Sequence, residues 1–207
     1  MVKTKTEAKE KQEKKLEISV APIKIASMDL CVQGTTPLLM EKMSEGIRQQ
    51  LVNLVTGQGK EKKKARDLNQ EVKDKIHKDD KGNVGFPASG FKKAMVESSV
   101  YLDGANKKLS KGSFFVIGSL QGDLVPIKFK KMVVNKAVGR DSGINRAPRE
   151  IWRPEFQDWS ANLRIKYNAS QISPQQIVEI AKLAGFHIGI GSWSPQHSGS
   201  YGMFTVA

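Results

Sequence analysis

Metal and redox chemistry have almost no raw material in this sequence. Among 207 residues there are one cysteine, Cys31, and three histidines, His77, His187 and His197. No disulfide can form within the chain, and the apolar stretch around Cys31 predicts a buried thiol in a reducing compartment. No His-x-x-x-His, Cys-x-x-Cys or acidic cluster supplies metal-ligand spacing, so the expectation is no metal and no cofactor. Long apolar runs are missing too. None approaches the roughly 18–20 residues that cross a bilayer, and the basic N-terminus lacks the apolar core of a secretion signal. The expectation is a cytoplasmic protein without a membrane partner.

Acidic residues are the scarce charge. Against 34 Lys and Arg there are only 21 Asp and Glu, a formal net charge of +13. A field of that sign concentrates polyanions, with nucleic acid first and anionic membrane or acidic protein behind it. Hydrophobic residues at 39% are nevertheless enough for an ordinary folded core in a chain of this length.

Residues 1–18 have almost no apolar content and read as a disordered charged tail, leaving 19–207 as a single domain. Ile23 to Val32 alternates as a strand ended by Gly34, and Leu38 to Thr56 has helical spacing (Leu39, Met43, Ile47, Leu51, Leu54). A polar basic insertion at about 58–83 holds Lys60, Lys62, Lys63, Lys64 and Arg66. Ser89 can cap a helix over Gly90–Leu102. Phe114–Leu120 and Leu124–Val134 read as strands joined at Gly122-Asp123, a hairpin signal. From about 135 to 158 periodicity disappears, and a basic loop is predicted. Ala161–Tyr167 alternates as a strand, and Ser173-Pro174 with Gln176 starts a helix ended by Gly185. Tyr201–Val206 reads as a last strand. This order predicts an α+β fold, a ferredoxin-like or RRM-like antiparallel sheet with helices on one face and basic, thumb-like insertions.

Two segments carry the candidate chemistry. In Gly185 to Gly202, glycines Gly189, Gly191, Gly199 and Gly202 let backbone N–H groups approach a phosphate. Trp193 and Tyr201 supply stacking faces, and His197 a polar contact. The competing reading is a tight corner in which the glycines only turn the chain. The spacing does not fit the Gly-x-x-x-x-Gly-Lys-Ser/Thr nucleotide loop. The second segment interleaves Lys128, Lys130, Lys131, Lys136, Arg140, Arg146, Arg149 and Arg153 with Trp152, the mixture a single-strand groove needs. Its competitor is a solvated loop with Trp152, Phe156 and Trp159 against the core. His187 reads as a core histidine.

The runs Gly189-Ile190-Gly191-Ser192-Trp193-Ser194-Pro195 and Gly199-Ser200-Tyr201-Gly202-Met203-Phe204 resemble the ending of a widespread set of small phage and prophage proteins. So do Gly85-Phe86-Pro87-Ala88-Ser89-Gly90-Phe91-Lys92-Lys93-Ala94-Met95 and Arg153-Pro154-Glu155-Phe156, and the likeness covers most of 23–206. More distantly, a glycine-rich loop before the last strand of a ferredoxin-like fold is similar to the RAMP superfamily of CRISPR proteins, with the backbone subunits that polymerise along guide RNA as nearest analogue. That resemblance implies an RRM-like core, a flexible thumb, sequence-independent backbone contacts and a filament. The polar insertion and the Arg-rich loop are the thumb and web candidates.

Taken together, these features predict a non-enzymatic, sequence-tolerant protein that binds single-stranded DNA or RNA. It would be phage-encoded, act in the host cytoplasm, and oligomerise along the strand. Two alternatives stand beside it. One is a metal-independent endoribonuclease of the CRISPR-processing kind using His197 as acid or base. The other is a phage assembly or inhibitor protein whose charge serves an acidic protein partner.

Overall fold

The computed structural model describes residues 22–57, 66–102, 107–140 and 147–207. The predicted tail at 1–18, Lys60, Lys62, Lys63, Lys64 and Arg146 lie outside the described residues. Among the described residues two antiparallel sheets and five α-helices make an α+β architecture.

The larger sheet is centred on β8 (Ser160–Asn168), whose alternation buries Ala161, Leu163, Ile165 and Tyr167 and exposes Asn162, Arg164 and Lys166. On one side β8 pairs with β1 (Ile25–Gly34) over nine residues, and β1 pairs with the short β9 (Phe204–Val206). On the other side, β4 (Phe114–Ile117) pairs with one end of β8 and β5 (Leu124–Lys128) with the other. The three-residue β3 (Gly85–Pro87) lies beyond β5. Gly122 and Asp123 both take positive φ, 75° and 55°, as a tight hairpin turn requires. The predicted strand to Leu120 stops early, at Ile117, before that turn.

Two helices supply most of the apolar layer over this sheet. α3 (Ala88–Ser98) buries Phe91, Ala94 and Met95 as expected, but it starts at Ala88 behind Pro87, without a side-chain cap from Ser89. It also ends early, and Val100 is exposed in the 3-10 turn Ser99–Tyr101 that follows. α5 (Pro174–Leu183) has the predicted Ser173–Gln176 capping box and buries Ile177, Ile180 and Ala181. Each such aliphatic side chain contributes about 1.5–3 kcal/mol on leaving water. A π turn, Ala184–Ile188, then carries the chain into the glycine-rich loop.

Three expectations are corrected here. Leu38–Thr56 is not one helix: Leu38–Leu39 form β2, buried against β7 (Pro148–Gln157), and α1 runs only from Glu45 to Val55. Its apolar spacing does not face the core, because α1 buries no residue at all. The later part of the polar insertion is packed rather than solvated, with α2 (Leu68–Asp74) capped by Asp67 and both Val72 and Ile76 buried. Cys31 is exposed, on the outward-facing row of β1, although its neighbours Leu30 and Val32 are buried. The α4 helix (Lys107–Ser113) had no counterpart among the expected elements.

The largest correction is the predicted loop at 135–158. The run from Leu124 does not end at Val134; it breaks at Phe129-Lys130, and β6 (Lys131–Arg140) pairs with β7 over ten residues each, from Lys131 with Gln157 to Arg140 with Pro148. With β2, this hairpin makes the second sheet, in the order β2-β7-β6. β7 carries polar side chains on both faces and prolines at 148 and 154, so it has no period-two signal. Pro154 sits one residue past the β2 pairing, and its carbonyl accepts from Met40 N at 3.1 Å. Phe156 and Trp159 are fully buried, and Trp159 Nε1 donates to the Thr36 carbonyl at 2.8 Å.

Candidate nucleic-acid interface

One face of the β6–β7 hairpin meets the C-terminal loop, and Arg153, Trp193 and Tyr201 come together there. On β7, Arg153 is only 6% exposed. Its Nε donates to Glu41 Oε2 at 2.9 Å, and its guanidinium lies 4.8 Å from the centre of the Trp193 ring. Ser192 Oγ donates to the same Glu41 oxygen at 2.8 Å, and Lys75 Nζ stands 3.9 Å from the other. Lys75 also donates to the Trp152 carbonyl at 2.8 Å. On the opposite face of the hairpin, Lys136 lies 4.3 Å above the Trp152 ring, its cross-strand partner. Arg66 forms two hydrogen bonds to Glu71, at 2.6 and 2.7 Å, and reaches the Glu150 carbonyl at 3.4 Å.

The electrostatics follow from this packing. Burial by itself would raise the Glu41 pKa, but hydrogen bonds from Arg153 and Ser192 and the charges of Arg153 and Lys75 hold it below the usual value. Burial depresses Lys75, against the pull of Glu41, and the nearby charges of Arg153 and Arg149 push the same way. Glu71 is lowered first by its hydrogen bond from Arg66. Arg66, Lys75, Arg149 and Arg153 therefore share one patch with Glu41, Glu71 and Glu150.

The glycine-rich loop is held by its own backbone. Gly189 N donates to the Ala184 carbonyl at 2.8 Å, Gly199 N to that of Ser194 at 3.1 Å and Gly202 N to that of Pro37 at 2.8 Å. A Cβ at Gly199 would overlap the Trp193 carbonyl, and one at Gly202 that of Ile190; Gly191 abuts the Leu39 carbonyl. In this geometry the glycines build the loop, and the side chains it displays are what face outward. Trp193, at φ 54°, is 37% exposed, with one ring face over Arg153. Tyr201 is half-buried; its ring lies 6.3 Å from that of Trp193, and its hydroxyl accepts from Asn135 at 3.2 Å.

Other candidates lie apart. Lys128, Lys130 and Lys131 sit at one end of the hairpin and Arg140 at the other, about 30 Å away along a ten-residue strand. His197 is exposed and, with Lys93 and Gln196, lines a cavity of about 120 Å³ beside α3. His187 is not a core histidine: it is half-exposed and stacks on Tyr101 at 4.3 Å. Sequence reasoning missed Glu41, Lys75, Ser192 and Lys93. Glu41, Lys75 and Ser192 join through contacts between distant segments, so no local spacing marks them.

No protein-family model matches the chain. No curated protein matches it either. Its fold is similar to that of a chain in the cryo-EM structure of the Type III-B Cmr-beta bound to cognate target RNA, at 15% identity and TM-score 0.50 over 89% of this protein. That match takes in 59% of the other chain, so this protein spans less than two thirds of its length. Cmr6 from Pyrococcus furiosus also aligns, at 8% identity and TM-score 0.44, over 90% of this protein and 100% of Cmr6. Among the described residues, no helix is long and apolar enough to cross a membrane.

Proposed function

We propose that this protein is a non-enzymatic, sequence-tolerant binder of single-stranded nucleic acid that holds the strand across the β6–β7 hairpin and the C-terminal loop. The observation that carries this reading is the cluster of Lys75, Arg149 and Arg153, with Arg153 beneath the partly exposed Trp193 ring. Clustered cations neutralise phosphates, and an aromatic face accepts any base, which is how a strand is gripped without sequence reading. Lys136 over Trp152 is a second cation–aromatic pair, on the opposite face of the hairpin.

The strand order β9-β1-β8-β4, with α3 and α5 in the connections, supports a ferredoxin-like core. In such a core the hairpin is the web candidate of the RAMP resemblance, and the likeness to a chain of RNA-bound Cmr-beta supports RNA as ligand. Assembly along the strand and a phage origin belong to the same reading. α1 favours assembly, since it leaves Ile47, Leu51 and Leu54 uncovered. Anisotropy titrations of labelled single-stranded and duplex DNA and RNA test it. Tighter binding to single strands supports it, and no binding to either removes it.

One observation favours a second reading, RNA cleavage: His197 and Lys93 line the same cavity. Labelled RNA incubated with the protein in EDTA is cut under that reading and stays intact under the first.

A further inference from the structure

We propose that Arg153, Ser192 and Lys75 form a phosphate site which the protein's own Glu41 carboxylate fills in the free state, and that a strand phosphate displaces it on binding. The inference rests on the nucleic-acid reading above and adds a competition built into the site.

Three donors from segments far apart in the chain converge on one anionic group. Arg153 on β7, Ser192 in the C-terminal loop and Lys75 after α2 meet at the two oxygens of Glu41, at 2.9, 2.8 and 3.9 Å. Guanidinium, hydroxyl and ammonium aimed at one point are the donor set of a phosphate site. The donors are fixed independently of Glu41. Arg153 lies under Trp193, Lys75 is tied to the Trp152 carbonyl, and Ser192 N donates to the Leu39 carbonyl at 2.9 Å.

The carboxylate does not complete the site. Of the Arg153 guanidinium, Glu41 accepts from Nε alone, so Nη2 on the same edge makes no hydrogen bond to it. A phosphate brings more acceptor oxygens than a carboxylate and can take both donors of that edge at once. The Arg66–Glu71 pair makes the contrast, since two short hydrogen bonds satisfy that guanidinium and leave a ligand nothing to gain.

The acceptor is also the most exposed of the three charged partners. The Glu41 side chain is 39% exposed, and it lies between β2 and α1, a helix that buries no residue. Swinging it outward disturbs no core packing, whereas withdrawing Arg153 or Ser192 would pull on β7 or on the closed C-terminal loop.

The test is Glu41→Gln, which keeps an oxygen to accept from Arg153 and Ser192 but removes the competing charge. Fluorescein-labelled oligouridylate and oligothymidylate are titrated against wild type and variant across a salt series, with circular dichroism confirming the fold. The variant is expected to bind about tenfold tighter. The slope of log K against log salt should steepen by up to about 0.7, because no displaced carboxylate takes up a counter-cation when the strand binds. Should Glu41→Gln not fold, Glu41→Asp, one methylene too short to reach all three donors, is expected to bind about threefold tighter. A wild type that binds alongside a folded variant of equal or weaker affinity overturns the displacement and leaves the binding reading standing. A wild type that binds neither oligonucleotide overturns both.

Discussion

The Arg153 guanidinium lies 4.8 Å beneath the Trp193 ring, so one face of the indole rests on a buried cation while the ring remains partly open to solvent. The indole is held flat over a positive charge that a ligand need not bring. Arg153 belongs to the hairpin and Trp193 to the C-terminal loop, so the contact also fastens the second sheet to the end of the chain.

Trp193→Ala should therefore separate binding from folding. Base–aromatic stacking is worth about 1–3 kcal/mol per base, so affinity for single strands should fall about tenfold or more. The melting temperature should move little, because the side chain is partly exposed. Anisotropy and differential scanning fluorimetry on the same sample check both.

Arg153→Met should do the reverse in part. It removes a charged hydrogen bond to Glu41 and the support under Trp193, at a cost of about 2 kcal/mol. In a chain of this size that corresponds to a fall of roughly 4–8 °C in melting temperature, together with weaker binding.

Acid should erase the contribution of Glu41. Its folded-state pKa lies below the ordinary value, so the folded state binds the proton less readily than the unfolded one. The stabilisation is present above the unfolded value, near about 4.3, and is lost as pH falls through the depressed folded value. Urea denaturation of wild type and Glu41→Gln should show wild type more stable at neutral pH, and the gap should close in acid.

Gly199→Ala and Gly202→Ala should unseat the loop. Each places a methyl group against a backbone carbonyl, and Gly202 also has φ of 67°. A loss of at least about 2 kcal/mol is expected for each. Gly46→Ala, in open space on α1, should be neutral or slightly stabilising. Thermal melts distinguish the two kinds of glycine.

The parts of this structure legible in the sequence are those whose signals are local. The Ser173–Gln176 box marked α5 and the alternation from Ala161 marked β8 because caps and periods act within a few residues. The β6–β7 hairpin was hidden, since β7 packs both faces unequally and includes Pro154, so tertiary pairing overrides a weak local preference. The spacing of Ile47, Leu51 and Leu54 did mark a helix, but periodicity cannot tell a face turned to the core from one left uncovered. Arg153 and Trp193 were legible by residue type within a basic, aromatic sequence. Glu41 and Ser192 were not: they meet across 151 positions, and an isolated glutamate in a basic chain carries no signal.

The most direct test of the central claim is the salt dependence of binding to labelled single-stranded RNA and DNA. If phosphates are held by the hairpin cations and Lys75, log K falls linearly with log salt, with a slope of about 0.7 per phosphate neutralised. The slope should shrink by about that amount when Arg149 is replaced by Ala. An affinity that is flat in salt, or binding indifferent to the hairpin charges, would contradict the account.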